Sequence, residues 1–133
     1  MDDQQFLQAF EAAHLQPFQH RDHIRMAWLY LRREGWAGGY PRIQAGLKYF
    51  AGAQGAATMY HETITRFWSY LVHYAIQQTP ELETFDDFAA AYPHLFDKIS
   101  IEKHYSRETL FSPQARAMFV EPDVKALPKL TTS

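Results

Sequence analysis

The chain has 133 residues, 47% of them hydrophobic, and no cysteine. That length fits one ordinary domain, and the missing thiols exclude disulfide frameworks, thiolate zinc sites, iron–sulfur clusters and cysteine nucleophiles. Thirteen basic residues against fifteen acidic ones leave a formal charge of −2, which argues against a phosphate-neutralising surface and hence against nucleic acid as a partner.

The first predicted helix runs from about Asp3 to Gln16, with Asp2 or Asp3 as its cap, Pro17 as its stop, and Phe6, Phe10 and Ala13 on one side. The second covers Arg21 to Glu34, with Ile24, Ala27, Trp28 and Leu31 on one side and Gly35 closing it in a left-handed turn. Residues 35–40 then read as a loop, and Pro41 suits the first turn of a third helix carrying Ile43, Leu47 and Phe50. Gly46 in its middle weakens that helix unless it allows a close contact.

Thr58 is placed to cap a fourth helix, from about Met59 to Gln78. Its apolar side of Tyr60, Ile64, Phe67, Trp68, Leu71, Ala75 and Ile76 is too broad for a surface helix. Thr84 and Asp87 stand at capping-box spacing before a short helix over 85–91, which Pro93 ends. A further helical stretch covers Ile101 to Leu110, placing Ile101, His104, Tyr105 and Glu108 on one side. Ser112-Pro113 opens a last short helix reaching Val120. Nothing alternates with period two over a useful length. The expected fold is therefore all-α, a single helical domain over 1–120 of about five to seven helices, with an extended, proline-containing tail over 121–133.

The start Met1-Asp2-Asp3 is unlike a secretory leader, and the longest uncharged stretch, Phe67 to Ile76, is about half the ~20 residues a membrane span needs. A cytoplasmic protein that does not enter a membrane is expected. No Gly-x-Gly-x-x-Gly, Gly-Lys-Ser/Thr or Gly-x-Ser-x-Gly motif is present, so no nucleotide cofactor is expected either.

The chemistry-bearing feature is a set of histidines. His20 and His23 flank the apolar side of the second helix one turn apart, a spacing that lets both imidazoles meet one ion. His61 lies about 60° from Ile64 on the fourth helix and faces inward, whereas Glu62 points about 160° away, on a polar stripe with Arg66, Ser69 and His73. If His20, His23, His61 and His104 converge, they suit a divalent transition metal such as zinc, iron or nickel, with Glu62 or Glu108 as proton carrier or extra ligand. Trp28, Tyr60, Thr65, Trp68 and Tyr105 would then wall a pocket for a small organic substrate, to be oxidised or hydrolysed.

Three alternatives stand beside that reading. The same side chains could form a metal-free acid–base pocket, or the chain could be a non-enzymatic ligand- or partner-binding module, a homodimer included, with structural histidines. It could also be an accessory subunit of a larger enzyme. His14, His73 and His94 are assigned structural roles. His61-Glu62-Thr63-Ile64-Thr65 begins like a zincin helix but lacks the second histidine at its fifth position.

The segments Phe18-Gln19-His20-Arg21-Asp22-His23, Tyr60-His61-Glu62-Thr63-Ile64-Thr65 and His104-Tyr105-Ser106-Arg107-Glu108-Thr109-Leu110 resemble a set of small bacterial all-helical proteins to which no function is attached. The resemblance spans about Phe18 to Asp123. It implies a bacterial source and a self-standing domain, and it brings no activity, substrate or cofactor with it.

Overall fold

The computed structural model describes residues 1–130. Its order is α1 (Asp3–Glu11), α2 (His20–Ala53), a 3₁₀ turn (Ala57–Met59), α3 (Glu62–Gln78), α4 (Phe85–Ala91), 3₁₀ turns (Pro93–Phe96 and Lys98–Lys103), α5 (Arg107–Leu110) and α6 (Pro113–Ala117). No strand occurs among the described residues, and the fold is all-α as expected. The chain divides into two compact units, Met1–Tyr60 and the residues from His61 onward.

In the first unit Asp2 caps α1 reciprocally: its carboxylate accepts the Gln5 N–H at 2.7 Å, and Gln5 Oε1 accepts the Asp2 N–H at 3.0 Å. The helix ends five residues before the expected Gln16. Ala13 takes φ 58°, and the His14 and Ala13 N–H groups close back on the Ala9 and Phe10 carbonyls. That is a Schellman ending built on alanine. Phe10 is fully buried and fixes α1 to α2. Its ring stacks on Phe18 at 5.4 Å and on Phe50 at 5.8 Å, and a Cβ at Gly46 would lie 2.6 Å from it. Gly46 is the notch that admits the ring. Arg25 adds an ion pair to Asp3 at 2.9 Å and lies 4.5 Å over the Phe6 ring.

The expected loop over 35–40 is instead helical, with the departure confined to Gly35 at φ 68°, ψ −173°, a region open only to glycine. The two halves of α2 fold back on each other there. A Cβ at Gly39 would sit 2.8 Å from the Tyr30 carbonyl oxygen and 3.1 Å from Leu31 Cα, whereas residues nine apart in a straight helix are about 13 Å apart. Arg42 pairs with Glu34 at 2.7 Å across the break, and Trp36 stacks on Tyr40 at 4.6 Å. Pro41 therefore lies inside α2, one turn into its second half, rather than opening a new helix. The first half is also more buried than one apolar side requires. Every residue from Met26 to Leu31 is under 5% exposed, the mark of a helix covered all round.

In the second unit α3 starts three residues later than expected, with His61 rather than Thr58 as a helix cap. Its buried positions are Thr63, Phe67, Trp68, Ser69, Val72, His73 and Ala75. Ile64, Leu71 and Ile76 are only half-buried, and the supposed polar stripe is covered at Ser69 and His73. The stretch expected as one helix over Ile101–Leu110 is a 3₁₀ turn followed by a new helix that Ser106 caps through the Thr109 N–H. That restart turns Glu108 to solvent while Tyr105 stays 1% exposed, so the two do not share a side. Thr84 and Ser112 cap α4 and α6 as read from sequence, and α6 stops at Ala117, short of Val120.

Two of the glycines of α2 give opposite expectations. Gly39→Ala forces a methyl group against backbone that cannot yield, and should cost about 2 kcal/mol even after the gain in helix propensity. Gly52→Ala meets nothing within 4 Å and should be neutral or stabilising by up to about 1 kcal/mol. Urea unfolding of the two variants checks both signs.

Candidate functional site

The His61 ring is held at both nitrogens. Nδ1 accepts the Ile64 N–H at 3.1 Å, which caps α3 and fixes the ring proton on Nε2. Nε2–H then donates to the Leu110 carbonyl at 2.7 Å, tying α3 to the last residue of α5. Burial, with the Arg116 guanidinium adding to it, holds its pKa below the ordinary histidine range against the pull of the Leu110 carbonyl. The neutral ring is thus the native species. A metal at His61 would have to break one of these two backbone bonds, so its donor atoms do not fit that role as arranged.

His20 and His23 stand in the first turn of α2. The His23 ring packs on Phe18 at 4.3 Å, and Phe18 lies 4.8 Å from Phe50, so the imidazole extends the aromatic cluster around Phe10. Burial, reinforced by the neighbouring His20, lowers the His23 pKa to about 4. His104, at the end of its 3₁₀ turn, lies 5.3 Å from Phe67 and donates Nδ1–H to the Lys125 carbonyl at 2.8 Å. Within neither unit do three or more histidine, aspartate or glutamate side chains among the described residues gather to hold an ion.

The expected pocket residues also have defined surroundings. Trp28 is 2% exposed and carries the Arg32 guanidinium 5.5 Å over its ring, and Tyr60 carries the Lys48 ammonium at 5.2 Å. Thr65 Oγ1 donates to the His61 carbonyl at 2.8 Å, and Trp68 meets Phe67 edge to face at 5.0 Å. Tyr105 packs 6.0 Å from Phe67, with its hydroxyl donating to the Val120 carbonyl. Glu62 is half-buried in the first turn of α3, and Glu108 is exposed in α5. His14 and His94 are exposed, and burial lowers the pKa of His73.

A group of side chains not anticipated from the sequence is concentrated on the tail. Thr63 Oγ1 donates to the Met118 carbonyl at 3.0 Å and accepts the Val120 N–H at 3.1 Å. The His104 carbonyl accepts the Val124 and Lys125 N–H groups, and the Tyr70 hydroxyl donates to the Pro128 carbonyl at 2.6 Å. The Asp123 carboxylate accepts the Ser106 N–H at 2.9 Å, the Ser106 hydroxyl at 2.6 Å and the Thr109 hydroxyl at 2.9 Å. Those Ser106 and Thr109 bonds hold its pKa below the usual carboxylate range. The prolines of the tail signalled an extended chain, but no spacing signalled its anchors.

In comparisons with known proteins the chain matches no family model, no curated protein and no solved structure.

Two measurements follow from the histidine geometry. His61→Ala removes a cap and leaves the Leu110 carbonyl without its donor, and should cost about 2–4 kcal/mol in urea unfolding. His61→Asn keeps an acceptor at the Nδ1 position and should recover about 1 kcal/mol of that loss. For His23, the folded pKa near 4 lies below the ordinary value of 6.5. Its neutral form is native, so stability is complete above pH 6.5 and falls as pH drops toward 4, by about 3 kcal/mol in total. His23→Leu should flatten that part of the stability–pH curve.

Proposed function

We propose that the chain is a non-enzymatic helical binding module, cytoplasmic in setting, whose histidines hold backbone and aromatic structure rather than a catalytic ion. The observation that carries this reading is His61: the imidazole at the centre of the expected constellation spends one nitrogen on the Ile64 N–H and the other on the Leu110 carbonyl. His23 and His104 point the same way, the first packed into an aromatic cluster and the second bonded to the tail. At His61 coordination would have to displace a backbone bond, and at His104 the tail already takes Nδ1.

A second reading has one observation in its favour. His20 and His23 are electrostatically coupled in a single turn, and His23 is neutral at physiological pH, as a metal ligand must be. On that reading the pair contributes two imidazoles to a zinc, iron or nickel site in a metalloenzyme acting on a small organic substrate.

Metal analysis of protein purified without a histidine tag separates the two. The binding-module reading expects substoichiometric zinc, iron and nickel, unchanged in His20→Ala/His23→Ala. One equivalent of metal in the wild type, lost from that double variant, would overturn it in favour of the metalloprotein.

A further inference from the structure

The tail after α6 is held almost wholly through its main chain. The Met118, Val120, Lys125 and Pro128 carbonyls and the Val120, Val124 and Lys125 N–H groups are each bonded to the body of the second unit. Several of its side chains take no part in the holding. Met118 is 55% and Val124 60% exposed, and Glu121, Lys125 and Ala126 are also turned to solvent. Two side chains do contribute: the Asp123 carboxylate takes bonds from Ser106 and Thr109, and the Arg66 guanidinium lies 4.6 Å over the half-buried Phe119 ring. A body that pairs with successive peptide groups of a non-helical main chain and fixes register with one anion has the chemistry of a peptide receptor.

We infer that Thr63, Tyr70, His104, Tyr105, Ser106 and Thr109 form a binding site for a non-helical peptide segment with one acidic residue, and that residues 118–128 occupy it in cis. The inference rests on the binding-module reading and names its partner. Because the tail is tethered, it competes at an effective concentration of about millimolar, so an incoming peptide meets a masked site. Weakening the tail's carboxylate anchor unmasks it.

The test uses the full chain and a fluorescent synthetic peptide with the sequence of residues 118–130, followed by anisotropy. The Asp123→Ala chain should bind the peptide at least ten-fold more tightly than the wild-type chain does. A peptide carrying the same Asp→Ala change should bind that variant at least ten-fold more weakly. Amide exchange at Val120, Val124 and Lys125 of the wild-type chain should speed up on adding excess peptide, a readout that does not depend on how any variant folds. Several results would overturn the inference: no binding to Asp123→Ala up to about 1 mM, equal binding of the two peptides, or unchanged exchange in the wild type. Dimers of Asp123→Ala exchanging tails, with no affinity for free peptide, would also overturn it. The metal analysis is independent of these outcomes, so a failed titration removes the peptide partner and leaves the role of the histidines as it stands.

Discussion

One imidazole organises the second unit. His61 sits where α3 begins, and helix beginnings leave N–H groups that need an acceptor. Serine, threonine or aspartate would supply one as well, but the imidazole also carries an N–H donor on its far side. Here that atom reaches the Leu110 carbonyl, at the end of α5 and far along the chain. Holding one proton on Nε2 makes both bonds possible at once, and burial keeps a second proton off. The start of α3 and the end of α5 are thereby fixed to each other, and Thr63 and Tyr105 are brought to the tail from either side of that junction.

The same economy recurs along the second unit. Thr63 and His104 each serve as donor and acceptor toward the tail, and Ser106 caps α5 with its oxygen while giving its hydroxyl proton to Asp123. A segment without regular structure must still satisfy its peptide groups. This one does so with side chains that already hold the helices. The first unit relies on packing instead, with aromatic rings stacked around Phe10 and glycine at the points of closest approach.

The helical class was legible because period and caps agree: Asp2, Thr84 and Ser112 stand where sequence rules place them, and Gly35 takes a positive φ, although at ψ −173° rather than in the left-handed turn expected of it. The elements that were misread had a stronger local signal pointing elsewhere. Two further glycines and Pro41 suggested a loop after Gly35, although a single residue absorbs the whole reversal and Gly39 is needed for contact rather than for a turn. Thr58 is a commoner cap than histidine, which hid the role of His61. The histidine constellation rested on wheel angles, and these report the direction of a side chain but not which of its nitrogens is already engaged. The tail anchors join residues up to 58 positions apart, and such pairings leave no periodic trace in a sequence.

The fold-back at Gly35 brings Gly39 against Tyr30 and Leu31, within ten residues of chain. Such a loop closes at small entropic cost. The helical hairpin can therefore form before the second unit has been synthesised, whereas the tail's pairings wait for partners up to 58 positions apart to be present together. Assembly order is thus written into the spacing of contacts, with the near ones available early and the distant ones late.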